Sequence, residues 1–388
     1  MRIFLCVICL CAALNVWGET ADSLFEQAKQ TKDPAQQVQL LSEVIEKSPQ
    51  HVDAYHYRAD AYVALEDYVH AVQDYNRVVS LRPKDSFRYY ARGLAYHKMG
   101  ENTLAVADFS KAISLNASYE NFYLARARSY RALEKYPAAL ADYKKYVGET
   151  WKGASKPLLR EMIPVAIGAY RYDEAQAMLS ALKEQGDDSS QLYHWQGQLL
   201  QNEGELDEAV SAFSKAVNRA PKNPAWLRSR ASAFKEMGDY EAALEDYSLA
   251  LTLDPKAYWF NRRGLVYEEL RDYEHARNDY HQAVVLEPKW AIAYNNRGFA
   301  RLNLKDFPGA KADFEMAILL DPTAPTPYVN LAGWYWTNKK DRKNMYKYLE
   351  KALQHNFKNF EALFDDKQKG WLFKEINQTA EFKSALYK

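Results

Sequence analysis

One spacing decides what this chain can fold into. Ala71, Ala105, Ala139, Ala175, Ala209, Ala243, Ala276 and Ala310 follow one another at intervals of 34, 34, 36, 34, 34, 33 and 34 residues. Pro49, Pro83, Ala117, Pro221, Pro255, Pro288 and Pro322 end the copies in step with them. The stretch from Gly298 to Phe314, GFARLNLKDFPGAKADF, shows the unit in full, with Tyr294 before it. An aromatic residue is followed four later by a small one, then by a turn around Lys305 and Asp306, then by Ala310 and Phe314. Tyr123, Ala127, Tyr130, Ala139 and Tyr143 repeat the pattern, as do Phe260, Gly264, Tyr267, Ala276 and Tyr280. The spacing predicts two antiparallel helices whose axes approach closely where glycine or alanine sits at the crossing. One such hairpin cannot bury its apolar face alone, so the copies must stack.

Composition agrees. Of 388 residues 48% are hydrophobic, and only 15 glycines and 14 prolines interrupt them, which favours helix. Fifty-one basic side chains balance 51 acidic ones. A nucleic-acid partner normally requires a basic surface, so none is expected.

The first eighteen residues stand apart. Arg2 precedes an apolar run from Ile3 to Val16, and Gly18 ends it on a small residue. Residues 1–18 read as a secretory signal peptide, too short for a transmembrane helix; an uncleaved anchor is the alternative. The expected location is exported, and periplasmic or secreted in a bacterial host. Cys6, Cys9 and Cys11 all fall in this leader. The mature chain is therefore expected to lack disulfides, thiolate nucleophiles and cysteine-bound metal.

The copies divide the rest. Residues 19–147 carry copies one to four, the first divergent. Residues 148–188 hold a breaker-rich stretch, Gly148 to Pro157, and a degenerate copy five. There Pro157 and Pro164 fall within the first helix, and Leu179 replaces the aromatic residue. Proline inside a helix removes a hydrogen bond and kinks it. The stretch reads either as a joint between two segments or as a local irregularity in one array. Residues 189–357 carry copies six to ten. Beyond them Phe360, Leu363, Phe364, Trp371, Leu372, Ile376, Phe382 and Leu386 recur at helical spacing, so 358–388 are expected to cap the last copy.

This unit resembles the tetratricopeptide repeat, over nearly the whole chain after residue 18. Tyr55, Tyr89, Tyr123, Tyr193 and Tyr294 stand where that family usually has tryptophan. The resemblance implies an all-α fold, a right-handed α-solenoid of about ten helix-turn-helix repeats with a C-terminal helical cap. It also implies a concave groove lined by the first helix of each copy, which takes an extended peptide or a helix of another protein.

A pair of residues travels with the repeat. Arg58 lies sixteen residues before Asp74, and the same offset joins Arg92 to Asp108, Arg126 to Asp142, Arg230 to Asp246, Arg263 to Asp279 and Arg297 to Asp313. Copies five, six and ten lack both members: Met162 with Met178, Gln196 with Ala212, Leu331 with Lys347 or Tyr348. Joint presence and absence predicts an ion pair between the two helices of one copy, since arginine makes directional bonds to carboxylate. Pairing between successive copies fails the same test, because Asp142 would face Met162.

No phosphate-binding loop, dinucleotide fingerprint, nucleophile elbow or paired-histidine metalloprotease motif occurs. No enzyme activity and no cofactor are expected. Asp53, His56 and Asp60 share one helical stripe that His97 of the next copy approaches, but they read as a polar wall and no metal is expected. In the last four copies the first helices present Tyr258, Asn261, Asn295, Asn296, Phe299, Asn330 and Trp336. Asparagine offers a donor and an acceptor together, which suits a peptide backbone. Asn296 and Asn330 resemble the asparagine ladders of peptide-binding family members, with Arg262 where a third rung would fall. The basic clamp of chaperone-binding members would fall on His56 and Asp60 and is not evident. The leading expectation is an exported scaffold that binds a protein or peptide. The alternative is an envelope-assembly factor that contacts a cell-wall glycan or membrane-surface polymer.

Overall fold

The computed structural model describes residues 20–148, 150–357, 373 and 379–386. The expected leader and most of the expected cap lie outside them. The described regular structure is all helical, and consecutive helices pair as hairpins of an α-solenoid. None of these helices is long and apolar enough to cross a membrane.

The chain forms two compact units that part between Asp187 and Asp188. Unit 1 holds α1 (Ala21–Gln30), α2 (Pro34–Lys47), α3 (Val52–Ala64), α4 (Tyr68–Leu81), α5 (Ser86–Lys98), α6 (Asn102–Leu115), α7 (Glu120–Ala132), α8 (Tyr136–Val147), a 3-10 turn at Trp151–Gly153, α9 (Lys156–Gly168) and α10 (Tyr172–Glu184). Unit 2 holds α11 (Ser190–Glu203), α12 (Leu206–Arg219), α13 (Pro224–Met237), α14 (Tyr240–Leu253), α15 (Ala257–Glu269), α16 (Tyr273–Leu286), α17 (Ala291–Asn303), α18 (Phe307–Leu320), α19 (Pro325–Lys339), α20 (Arg342–Gln354) and α21 (Ala380–Leu386). Through α20, odd numbers are the first helices of their copies and even numbers the second.

Five hairpins turn by the same device. The last residue before the second helix is an aspartate, and Asp67, Asp239, Asp272, Asp306 and Asp341 each accept a backbone N–H from the first turn that follows. The residue before each aspartate takes a left-handed conformation, with φ of 59° at Glu66, 84° at Gly238, 57° at Arg271, 63° at Lys305 and 51° at Lys340. That conformation ends a helix and reverses the chain.

The recurring alanines, Ala71 through Ala310, are all fully buried. Opposite them the small residues of the first helices admit an aromatic ring against the backbone. A Cβ at Gly298 would lie 2.8 Å from Phe314 Cε1 and 3.1 Å from Asp313 Cβ. At Gly93 it would lie 2.6 Å from Phe109, and at Gly264 2.7 Å from Tyr280.

The breaker-rich stretch belongs with unit 1. Its Trp151 and Ala154 are buried. Pro157 does not interrupt α9 but sits in its first turn, where a missing N–H costs nothing. Pro164 lies inside α9, and the helix nonetheless continues to Gly168. At the other end, Phe373 and Phe382 are fully buried in one cluster with Tyr328, Met345 and Leu349. The described part of the tail thus covers apolar surface of the last hairpin.

Gly298→Leu is expected to lower stability by about 1–3 kcal/mol through overpacking against Phe314. An unchanged urea midpoint would contradict the close crossing.

Candidate functional site

Six arginines knit the hairpins together. Arg58 Nε lies 2.7 Å from Asp74 Oδ2, and its Nη2 2.7 Å from Oδ1. Arg92, Arg126, Arg230, Arg263 and Arg297 grip Asp108, Asp142, Asp246, Asp279 and Asp313 in the same bidentate way, at 2.6–2.9 Å. All six carboxylates are buried. Burial, the larger effect, pushes the Asp279 carboxyl above its usual range, and the Arg263 hydrogen bond opposes it. The pair therefore offsets a desolvation cost before it adds stability.

Sequence reasoning missed the third bond of each guanidinium. Nη1 reaches the second helix of the preceding copy: Arg58 to Ser42 Oγ at 3.0 Å, Arg92 to Asn76 Oδ1 at 2.8 Å, Arg126 to Ser110 at 2.9 Å, Arg230 to Ser214 at 3.2 Å and Arg263 to Ser248 at 2.9 Å. Arg297 Nη1 lies 3.0 Å from His281 Nδ1, so that nitrogen accepts. Each arginine joins three helices of two copies. The signal was an acceptor five residues after the recurring alanine, which Asn76, Ser110, Ser214, Ser248 and His281 provide.

The asparagines expected to meet a peptide bond one another. Asn296 Nδ2 donates to Asn261 Oδ1 at 2.9 Å, Asn295 Nδ2 to Asn296 Oδ1 at 3.2 Å, and Asn330 Nδ2 to Asn295 Oδ1 at 2.9 Å. Asn261, Asn295 and Asn330 are buried, as is Trp336. The relay ties α15, α17 and α19 side by side, and its third rung is Asn261, not position 262. Phe299 is half-buried against the cluster of the last hairpin. Of the seven candidates only Tyr258 is exposed.

His194 makes a similar bridge. Its Nε2 lies 2.9 Å from Ser229 Oγ, and its ring centroid 4.2 Å from that of Trp226. Burial, helped by the charge of Arg228, pushes its pKa down to about 4.

The polar stripe of unit 1 does not assemble as a metal site. His56 Nε2 lies 3.6 Å from Asp60 Oδ2, but Asp53 pairs with Arg88 at 3.2 Å. His97 turns instead to Asn102 at 2.8 Å and Ser129 at 3.0 Å. Among the described residues no group of three histidine, cysteine, aspartate or glutamate side chains is placed to hold a metal ion.

Two open cavities lie on first-helix faces. In unit 1, Tyr90, Leu94, His97, Asn121, Leu124 and Arg128 line about 280 Å³. In unit 2, Gln198, Gln201, Arg228, Ser232, Tyr258 and Arg262 line about 160 Å³, with Ser229 and Tyr247. Arg228 lies over the Trp259 ring at 4.8 Å, and Arg262 Nε donates to Tyr258 Oη at 2.8 Å.

Models described as TPR repeat and tetratricopeptide repeat match residues 59–100, 88–119, 162–224, 196–258 and 257–290. A crystal structure of a tetratricopeptide repeat protein from Parabacteroides merdae aligns with a TM-score of 0.51 at 18% identity, over 65% of this chain and 99% of that one. That likeness is one of fold. The heat-shock protein cognate co-chaperone sgt12 of Aspergillus fumigatus is 40% identical over 52 residues, 13% of this chain and 15% of that protein. Tetratricopeptide repeat protein 36 of Caenorhabditis elegans is 44% identical over 48 residues, 12% of this chain and 27% of its own. The chain thus matches 15% and 27% of the length of these curated relatives.

A double-mutant cycle on Arg263 and Asp279 is expected to give a coupling energy of about 1–3 kcal/mol, between the exposed and fully buried limits; zero coupling would remove the pair's role. His194 sets a pH dependence. The unfolded chain protonates it near its ordinary value of about 6.5, the folded chain only near 4. Stability is therefore lost as pH falls from about 6.5 towards 4, by roughly 3 kcal/mol in all. His194→Gln should remove that slope from urea unfolding, and a slope unchanged by the substitution would refute the assignment.

Proposed function

We propose that this chain, which belongs to the tetratricopeptide repeat family, is an exported, non-enzymatic scaffold that docks an extended segment of another protein on the first helices of unit 2. The observation that carries this reading is the face around Arg228. There α11, α13 and α15 present Gln198, Arg228, Ser232, Tyr258 and Arg262 around an open cavity, while the alanines and aromatic rings of the second helices are committed to packing. Polar groups held by helices already bonded to their neighbours need little ordering when a partner arrives. The short matches to a co-chaperone and to a repeat protein favour a protein partner. Export rests on the leader pattern of residues 1–18.

A photo-crosslinking residue at Ser232 is expected to capture a protein in the exported fraction. The same residue at Leu319, which is 72% exposed on a second helix, is expected to capture none. Equal or reversed yields would overturn the assignment of the face.

A further inference from the structure

The second helices differ from one another where packing does not require it. Six and nine residues after the recurring alanine, α4 places Arg77 and Ser80, α6 Lys111 and Ser114, and α12 Lys215 and Asn218. At this level α8 and α10 keep a charge, Lys145 and Glu184. Copies seven to nine break the habit. There α14 exposes Leu249 and Leu253, α16 Val285 and Leu286, and α18 Met316 and Leu319. In copy ten Met345 is buried in the alanine's place, and the residue six later is Lys351.

These six side chains are not part of the core. The packed face of α14 includes Ala243, Asp246, Tyr247 and Ala250, and α16 and α18 bury the same positions. Equivalent positions of stacked copies lie side by side, so the six form a row across three helices. Together they leave roughly 500 Å² of apolar surface open, near the top of what a monomer carries. A stable interface takes about 800 Å² from each side, and between identical chains about two thirds of it is apolar. The row supplies that share.

We infer that the row on α14, α16 and α18 is a contact between two molecules of this chain. The row is its own complement. A two-fold axis along α16 lays α14 of each molecule on α18 of the other, apolar end to apolar end. The same axis brings Glu245, exposed on α14, to within one residue of the level of Lys311 on the opposite α18. Lys311 is held within its own helix only by Glu315 at 3.5 Å. With 51 basic and 51 acidic side chains, the two molecules meet without net repulsion. Acids flank the row at Asp254, Glu287 and Glu315, and an anionic lipid surface would repel them. The contact uses second helices, whereas the docking face around Arg228 is built on first helices.

The test is sedimentation equilibrium of the full chain against Val285→Glu and, separately, Leu319→Glu. Both side chains are exposed, so the helical signal in circular dichroism should not change. The unaltered chain is expected to reach twice the mass of one molecule. Each variant is expected to weaken that dimer about tenfold or more, because a carboxylate replaces a covered aliphatic group in both halves of the contact. Ser80→Glu, at the same level of α4, is expected to leave the dimer as it is. A monomer at every concentration would overturn the inference, as would an association that both variants leave intact, such as one made through the leader. Flotation of a monomeric chain with neutral vesicles would assign the row to lipid instead. A photo-crosslinking residue at Leu319 is then expected to capture no other protein, only a second molecule of this chain, recognised by its doubled mass. A different protein captured there in its place would also reject the pairing.

Discussion

A close crossing of two helices underlies every other contact in this protein. An aromatic ring from the second helix can reach the first only where the facing residue is glycine or alanine, and at Gly93, Gly264 and Gly298 not even a methyl group fits without movement. Such proximity brings the rest of both helices within hydrogen-bond range. It also buries the aspartate one position before the ring, at Asp108, Asp279 and Asp313. A buried carboxylate without a partner would shift its pKa or unfold its surroundings. The arginine sixteen residues earlier follows as a requirement of that geometry.

This requirement explains why the pair vanishes as a unit. In copy five Met162 and Met178 are both fully buried, an apolar solution to the same crossing. In copy six Ala212 stands buried opposite Gln196, and in copy ten Leu331 is fully buried. Keeping one charge and losing the other is the costly case, because it strands an ion away from water. The third arginine bond carries the same logic to the preceding copy. Stacking here is therefore specified by hydrogen bonds as well as by apolar area, and copies meet in one register.

The architecture was legible because the chain is its own alignment. With the unit written many times over, covariation of Arg263 with Asp279 and of Met162 with Met178 can be read within a single sequence. What stayed hidden were contacts between copies. A period of 34 suggests that equivalent first-helix residues face one another, yet four bridges join residues 35 apart: Asp53 with Arg88, His194 with Ser229, Asn261 with Asn296, Asn295 with Asn330. Neighbouring first helices are staggered by about one position, so the asparagine relay begins at Asn261 and its amides satisfy one another. The same stagger turned candidate ligand groups into structural ones. Likewise Pro157 read as a breaker, because sequence does not show whether proline falls in the first turn of a helix or beyond it.

The stagger also narrows where a partner can be held. At several junctions a polar side chain of one first helix is used by the copy beside it: Arg88 by Asp53, His194 by Ser229, Asn261 by Asn296. Where copies seven and eight meet, the corresponding residues are Arg228 and Arg262, and like charges cannot bridge. Each instead rests on an aromatic neighbour, Trp259 or Tyr258. Two guanidinium groups facing one cavity repel each other, and an anion between them would relieve that repulsion in a setting less screened than open solvent. The bridges that join His194 to Ser229 and Asn261 to Asn296 on either side have no counterpart at this junction, and both guanidinium groups face the cavity.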